Sequence, residues 1–237
     1  MPRPQFTFPN PTALVVGSFG DAESLASATP ESLADQCDIA EVRLDLFHTE
    51  FSTQGTRLWQ HLTQFPLLFT ARCHSEGSPF DLDSETREEL IRAALPDAAI
   101  IDIEARNADS MSELISEISS QGVPWIASYH DFGKLPPPEE LAANARNAKQ
   151  AGASAFKAAA QLRTMDDLTA LAHFQISDQG IPLSTMGMGA LAPVSRLLCA
   201  QAGSVLNYGF IGKKATAPGQ WSARQLRESI RSLSPLT

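Results

Sequence analysis

Lys157 stands in the run Ala153–Ala160, which reads A-S-A-F-K-A-A-A. The run is short, apolar and free of glycine and proline. Gly152 precedes it and is suited to ending a helix, so the pattern predicts a buried strand. Side chains two apart on a strand share a face. Phe156 and Ala158 then point one way, and Ala155, Lys157 and Ala159 the other. A lysine flanked by alanines has room above it and little water around it. Desolvation lowers an ammonium pKa and turns the amine into a nucleophile. A plainer part is also open to it, that of a strand-end lysine snorkelling to solvent.

Other ionisable residues fall at the ends of apolar runs. In Ile39–Phe47, Glu41, Arg43 and Asp45 alternate with Val42, Leu44 and Leu46. Arg72 ends the run from Pro66, Asp102 and Glu104 end the run from Ala98, and His130 follows Val123–Tyr129 in S-Y-H-D-F. Singly, each suits a structural pairing, an acid with an arginine. Convergence of so many at one place favours chemistry, since a core built only for stability gains little from buried charge. His130, one strand before Lys157, suits a general base tuned near neutrality, or a strand-end histidine bonded to a loop. His48, His61, His74 and His173 are expected to face solvent. His74 follows Cys73, but no second ligand pair stands nearby, so no metal site is expected. The segment S-T-M-G-M-G at 184–189 precedes a helix carrying Ser195-Arg196. Its glycines suit an anion site at a helix start or a plain turn. Arg196 is then a ligand or an ordinary helix charge, and Met186 and Met188 are pocket wall or core filler.

The elements that position these residues alternate throughout. After an irregular lead-in over 1–12, strands are expected at Ala13–Val16, Ile39–Phe47, Pro66–Arg72, Ala98–Glu104, Val123–Tyr129, around Lys157, Pro182–Met186 and Ser204–Phe210. Helical segments follow each: Asp21–Gln36, with a start at Pro30; Gln54–Gln64; Ser84–Ala94, with Ser84 as cap and Arg87-Glu88-Glu89 on the wet side; Ser110–Ser119; Pro136 to about Ala151; Met165–Phe174; Ala190–Ala200; and Trp221–Leu233, entered through a loop at Lys213–Gln220. Strict alternation implies a parallel sheet, and eight units in 237 residues imply a closed (β/α)8 TIM barrel in one domain. An open doubly wound sheet should carry G-x-G-x-x-G after its first strand. Here Gly17-Ser18-Phe19-Gly20-Asp21 lacks that spacing.

Composition narrows the classes. Apolar residues make up 43% and charged residues 19% of the chain, as in an ordinary globular domain. A net charge of −9 and a pI near 5.0 argue against a nucleic-acid partner. A small anionic substrate stays possible, because screening confines bulk repulsion to ~8 Å and a local cationic pocket can prevail. The three cysteines, Cys37, Cys73 and Cys199, are odd in number and widely spaced, which fits reduced thiols in a cytoplasmic protein. No apolar run approaches the ~18 residues of a membrane span, and the proline-rich N-terminus is not a signal peptide.

Taken in order, these segments resemble the type I 3-dehydroquinate dehydratases of the shikimate pathway, from about Ala13 to Leu233. The likeness is carried by E-V-R-L-D at 41–45, F-T-A-R at 69–72 with Glu76-Gly77 beyond, D-I-E at 102–104 and S-Y-H-D-F at 128–132. It continues with F-K-A-A at 156–159, M-G-M-G followed by Ser195-Arg196, Gly203-Ser204, and A-P-G-Q at 217–220. The resemblance implies a Schiff-base role for Lys157 and proton transfer by His130, with Glu76 orienting the imidazole. It implies substrate contacts from Glu41, Arg43, Arg72 and Arg196, the last on a carboxylate. Thr216 and Gln220 match contacts from a closing loop, and Met186 and Met188 match the pocket wall. Thr216 stands where serine is usual, and Tyr208 where phenylalanine is expected. The likeness further implies 3-dehydroquinate as substrate, no metal or organic cofactor, and a homodimer.

Arg43 and Arg72 share their strand ends with Glu41 and Glu76, which are expected to neutralise them in part. Arg196 has no acidic neighbour from Gly187 to Asn207. Two other readings remain at this point. A class I aldolase barrel acting on a sugar phosphate would use the same lysine and want a phosphate site near strands seven and eight. A catalytically inactive barrel used for binding would need neither Lys157 nor His130.

Overall fold

The computed structural model describes residues 13–49 and 57–233. Its strands are β1 (Leu14–Phe19), β2 (Ile39–Arg43), β3 (Leu67–Thr70), β4 (Ile100–Glu104), β5 (Trp125–Asp131), β6 (Ala155–Gln161), β7 (Leu183–Met188) and β8 (Leu206–Ile211). They form one eight-stranded sheet in the order β7-β6-β5-β4-β3-β2-β1-β8, with every ladder parallel. The remaining seam, between β7 and β8, is joined partly through side chains. Val205 N donates to Leu183 O at 2.9 Å. Ser184 Oγ donates to Leu206 O at 2.6 Å, and Ser204 Oγ accepts from Thr185 N at 3.2 Å. The sheet is thus a nearly closed (β/α)8 barrel, as expected.

Helices cover its outside: α1 (Ala22–Ser27), α2 (Pro30–Ala34), α3 (Ser84–Ala94), α4 (Ser112–Ser120), α5 (Pro138–Gln150), α6 (Met165–Ile176), α7 (Ala192–Gln201) and α8 (Ala223–Arg231). Outward-facing strand residues such as Val42, Phe69, Ile101, Ala127, Phe156 and Ala158 pack with helix residues such as Leu33, Leu90, Leu114 and Phe174 in the larger core. Inside, a smaller cluster of Val16, Ile39, Leu68, Ile100, Ile126, Ala155 and Leu206 fills the lower barrel. Because side chains alternate with period two, the next inward residue on most strands sits one layer higher. Those residues are Ser18, Glu41, Thr70, Asp102, Ser128, Lys157 and Tyr208. The barrel therefore has an apolar floor and a polar upper layer toward the C-terminal ends of its strands.

Several local expectations are corrected. β1 continues through Gly17 and Ser18 to Phe19. Gly17 fits there because it has no Cβ, which would lie 2.4 Å from Ile211 Cδ1. β2 ends at Arg43, and a 3-10 turn over Leu44–Leu46 takes Asp45 off the strand face. The segment Asp21–Gln36 holds two short helices, capped by Asp21 and Thr29. Asp83, not Ser84, caps α3, accepting from Thr86 N at 2.8 Å. Arg87 is buried rather than on the wet side. His48 is half-buried, with Nδ1 2.8 Å from Asp45 O, while His61, His74 and His173 are exposed. Of the helix expected at Gln54–Gln64, the described part shows a 3-10 turn, Gln60–Leu62. Residues 54–56 and the lead-in over 1–12 lie outside the described residues.

Phe156 tests the packing behind the site. It is fully buried on the outer face of β6, with its ring 6.5 Å from that of Phe174. Phe156→Ala should cost about 3–5 kcal/mol in a urea titration. A loss under about 1 kcal/mol would mean that β6 is not anchored through this face.

Candidate active site

Lys157 enters the upper layer at mid-β6, opposite Ser128 of β5 and Ser184 of β7. It is buried, and its Nζ lies 3.0 Å from Asp102 Oδ2 and 4.0 Å from the centroid of the Tyr208 ring. Burial drives its pKa down and Arg72 adds to this, while Asp102 and Glu41 oppose it; the balance is a lowered value. Asp102 itself is held at about 2, because Arg72, Lys157 and the Ser128 hydroxyl outweigh the burial that would raise it. The amine thus has a fixed counter-ion yet releases its proton more readily than a surface lysine.

His130 lies on β5, next to β6 in the sheet. A single oxygen of Glu76 accepts from both His130 N and His130 Nδ1, each at 3.0 Å. This fixes the ring and places the proton on Nδ1, which leaves Nε2 with the free lone pair. Burial, reinforced by Arg72, Lys157 and Arg43, holds the imidazole well below the usual histidine range. His130 is therefore neutral at pH 7, as a base must be. Burial also raises the Glu76 carboxyl to about 7 against the pull of Arg72.

Glu41 acts on Arg43, and Glu76 and Glu41 on Arg72, only at longer range, and the close ion pairs of both arginines are with other acids. Arg43 is gripped by Asp45 through Nε at 2.9 Å and Nη2 at 2.7 Å. Arg72 reaches Asp102 at 2.9 Å, Glu104 at 3.1 Å and Ser128 Oγ at 2.7 Å. Glu41 instead accepts from hydroxyls, those of Ser18 and of Thr70, the latter at 2.8 Å. Ser18 had no role in the sequence reading, although the register places it directly opposite Glu41.

Arg196 projects from α7 and is buried, with Nη1 bonded to Tyr208 O at 2.6 Å and beside Met186 Sδ at 3.3 Å. Its Nε has no partner, and no acidic side chain pairs with it among the described residues. Burial lowers its pKa to about 10, so it remains a cation at neutral pH. The glycine-rich segment before α7 does not offer a phosphate cradle. Gly187 N is taken by Ser195 Oγ at 2.9 Å and Gly189 N by Pro218 O at 3.1 Å. The latter bond ties the β8–α8 loop to the barrel rim. Within that loop, Thr216 N and Oγ1 both donate to Gln220 Oε1 at 2.9 Å.

Lys157, His130, Glu76, Glu41, Arg43, Arg72, Arg196, Thr216, Gln220, Met186 and Met188 all line one cavity of about 50 Å³. Ser18, Gly77, Phe132 and Tyr208 line it as well. Tyr208 entered the sequence reading only as a departure from phenylalanine. Asp102 stood there as a strand-end acid without a role, and here it is the partner of the amine. A wider concavity of about 1020 Å³ lies at the opposite end of the barrel, lined by Leu14, Val15, Leu183 and Val205 at or next to the starts of β1, β7 and β8. It lacks the lysine, histidine and acid cluster, so the smaller cavity is the candidate active site.

The chain matches the family model for type I 3-dehydroquinase over residues 15–237. It is similar to the 3-dehydroquinate dehydratase of Methanothrix thermoacetophila, at 35% identity over 94% of this chain and 92% of the relative. It is also similar to the catabolic 3-dehydroquinate dehydratase of Acinetobacter baylyi, at 31% identity over 90% and 82%. Among solved structures, the 3-dehydroquinate dehydratase of Enterococcus faecalis superimposes with a TM-score of 0.81 at 25% identity, covering 96% of this chain and 97% of the other. With the barrel, the Lys157 and His130 that line one cavity and these likenesses in agreement, the chain belongs to the type I 3-dehydroquinase family of lyases.

Proposed function

We propose that this type I 3-dehydroquinase converts 3-dehydroquinate to 3-dehydroshikimate through an imine on Lys157, with His130 as acid and base. The observation that carries the proposal is the shared cavity: a buried amine of lowered pKa and a neutral, oriented imidazole face the same space. The Lys157 amine attacks the substrate ketone, and loss of water gives a protonated imine. Asp102 and the face of Tyr208 lie where that cation forms. The iminium withdraws electrons from the neighbouring carbon, so His130 Nε2 can take its proton and leave an enamine. The enamine expels the β-hydroxyl, which leaves as water with a proton from His130. Hydrolysis then frees the product and the lysine, with no metal or organic cofactor needed.

The remaining residues orient the substrate. Arg196 grips the carboxylate. Glu41 accepts a hydrogen bond from a substrate hydroxyl, and Arg43 and Arg72, fixed by their acids, present the rest of their forks. Met186 and Met188 form the apolar wall. A cavity of about 50 Å³ holds only one or two waters, so the substrate enters when the loop carrying Thr216 and Gln220 lifts, and the loop closes over it. Arg196 favours a carboxylate over the sugar phosphate of an aldolase, since the nearby backbone donors are occupied. We further place the enzyme in the cytoplasm as a homodimer. The free, buried Cys37, Cys73 and Cys199 suit a reducing compartment, and the dimer follows from the family likeness. Light scattering should give twice the mass of the 25.5 kDa chain; a monomer mass would remove the dimer.

Borohydride added with 3-dehydroquinate should label Lys157, as read by peptide mass mapping. Label on Lys134, Lys149, Lys213 or Lys214 instead would overturn the imine assignment. His130→Ala should still form the trappable adduct while turnover falls about 10²–10⁴-fold or more. Full turnover in the folded variant would refute its role.

Arg196→Ala removes one partner of a desolvated charge pair, a loss of about 2–5 kcal/mol. That corresponds to a rise in KM of about 30-fold to several thousand-fold. Arg196→Lys should recover only part, because it keeps the charge and loses the fork. Near-normal KM in both variants would place the carboxylate elsewhere.

A further inference from the structure

Arg87 lies on α3, outside the strand layer, and does not line the cavity. Yet it is 3% exposed, and its Nη1 lies 2.9 Å from Glu104 Oε2. Asn107 Nδ2 reaches the same oxygen at 2.8 Å. The other oxygen of Glu104 accepts from Arg72 Nη1 at 3.1 Å and from Cys73 N at 2.9 Å. Arg72 continues to Asp102, and Asp102 to Lys157. The groups Arg87, Glu104, Arg72, Asp102 and Lys157 thus form an unbroken row of alternating charges. It begins on an outer helix and ends at the reacting amine.

The row has a consequence for its far end. Glu104 needs a cation on each side, because an unpaired buried carboxylate is costly. Without Arg87, the whole of its charge would fall on Arg72. Arg72 would then hold Asp102 less firmly, and Asp102 would hold the ammonium form of Lys157 more firmly. Glu104 also bears on Glu76, whose protonation it promotes, and Glu76 orients His130.

We propose that Arg87 is a positioning residue for the dehydration, acting through Glu104 and Arg72 to keep Lys157 free to lose its proton and Glu76 free to hold His130. The proposal depends on the imine reading given above. Lys157 is faced by Asp102 from β4, Arg72 from the end of β3, Glu41 from β2, His130 from β5 and Tyr208 from β8. Of these, Arg72 is the group that Arg87 reaches through a shared acid. Deleting the Arg87 charge favours the protonated amine, so the fraction of free amine at a given pH falls. The acidic limb of the rate profile then moves to higher pH.

The test compares wild type, Arg87→Met, Arg87→Lys, Glu104→Gln and the Arg87→Met/Glu104→Gln double variant. Borohydride trapping with 3-dehydroquinate and kcat/KM are both measured from acid to alkaline pH, with folding checked by thermal melting. In Arg87→Met the limb should rise by about half a pH unit to one unit, a fraction of the 1–3 units caused by a direct charged neighbour. The rate at a fixed pH on that limb then falls about 3- to 10-fold and recovers at higher pH. Arg87→Lys should keep the wild-type limb. Glu104→Gln removes the acid and should move the limb the other way, so the double variant returns toward wild type. An unchanged limb in folded Arg87→Met, or a double variant shifted as far as the single, overturns the proposal. Should Arg87→Met not fold, an unchanged limb in Glu104→Gln overturns it equally. Absence of any Lys157 adduct in wild type sinks the imine reading instead, and the kcat/KM limbs still decide the role of Arg87.

Discussion

The contact between Lys157 and Asp102 sets two opposing demands on the barrel. The ammonium form has to be paired if a dry interior is to hold it, and the amine has to give up its proton to react. A bare pair would satisfy only the first, since a carboxylate at 3.0 Å favours the ammonium form. Arg72 resolves the conflict by sharing Asp102, with its Nη2 2.9 Å from the other carboxylate oxygen. The acid is then divided between two cations, and burial can lower the lysine. Breaking a buried pair by removing one partner leaves an uncompensated charge. The polar layer therefore stands or falls as a network, and the apolar floor beneath it is what keeps it dry.

Much of that arrangement follows from the period of two along a strand. In β2, β3, β4 and β5 the inward series run Ile39, Glu41, Arg43; Leu68, Thr70, Arg72; Ile100, Asp102, Glu104; and Ile126, Ser128, His130. Each begins with an aliphatic residue and ends with polar ones. The register aligns the series of β3 and β4, where Leu68 pairs with Ile100 and Thr70 with Asp102, and staggers those of β4 and β5 by two residues, where Asp102 pairs with Ile126 and Glu104 with Ser128. Layers of one chemical kind thus result from local alternation combined with the tilt of a closed sheet. The outer face needs only bulk, which Phe69, Ile101 and Phe156 supply.

This explains which features could be read from the sequence. The strand of Lys157, the two faces of β6 and the gathering of the strand-borne polar residues at one end of the barrel follow from alternation and from the order of the elements, whereas Glu76, Thr216 and Gln220 are named only by the family resemblance. Partner choice does not follow from either. Glu41 was expected to offset Arg43, but Asp45 lies in a turn that brings its carboxylate back onto the guanidinium, and Glu41 is left to Ser18 and Thr70. Arg87 stands in the charged run R-E-E, which reads as the wet side of α3. Its burial depends on Glu104, an acid 17 residues away. Nothing local in R-E-E marks which charge turns inward. Asp83 and Ser84 are both good cap residues, a one-residue ambiguity that only the φ/ψ angles resolve.

The pairing pattern finally says how an acidic chain can hold an acidic substrate. Arg43 is matched by Asp45, Arg72 by Asp102, and Arg87 by Glu104. Those charges are committed to one another. Glu41 and Arg196 are different: among the described residues, Glu41 accepts hydrogen bonds from two hydroxyls, and Arg196 donates to a backbone carbonyl and a thioether, all uncharged. Both line the cavity without a hydrogen-bonded ion pair, one an acid and one a base. On the proposed reading, that polarity orients a molecule bearing a carboxylate and hydroxyl groups, with the carboxylate toward α7 and the hydroxyl donors toward β2. The net charge of −9 does not oppose this. Bulk charge is screened beyond ~8 Å, whereas a desolvated guanidinium within hydrogen-bonding distance is not. Local commitment of charge, rather than the sum over the chain, determines what the cavity attracts.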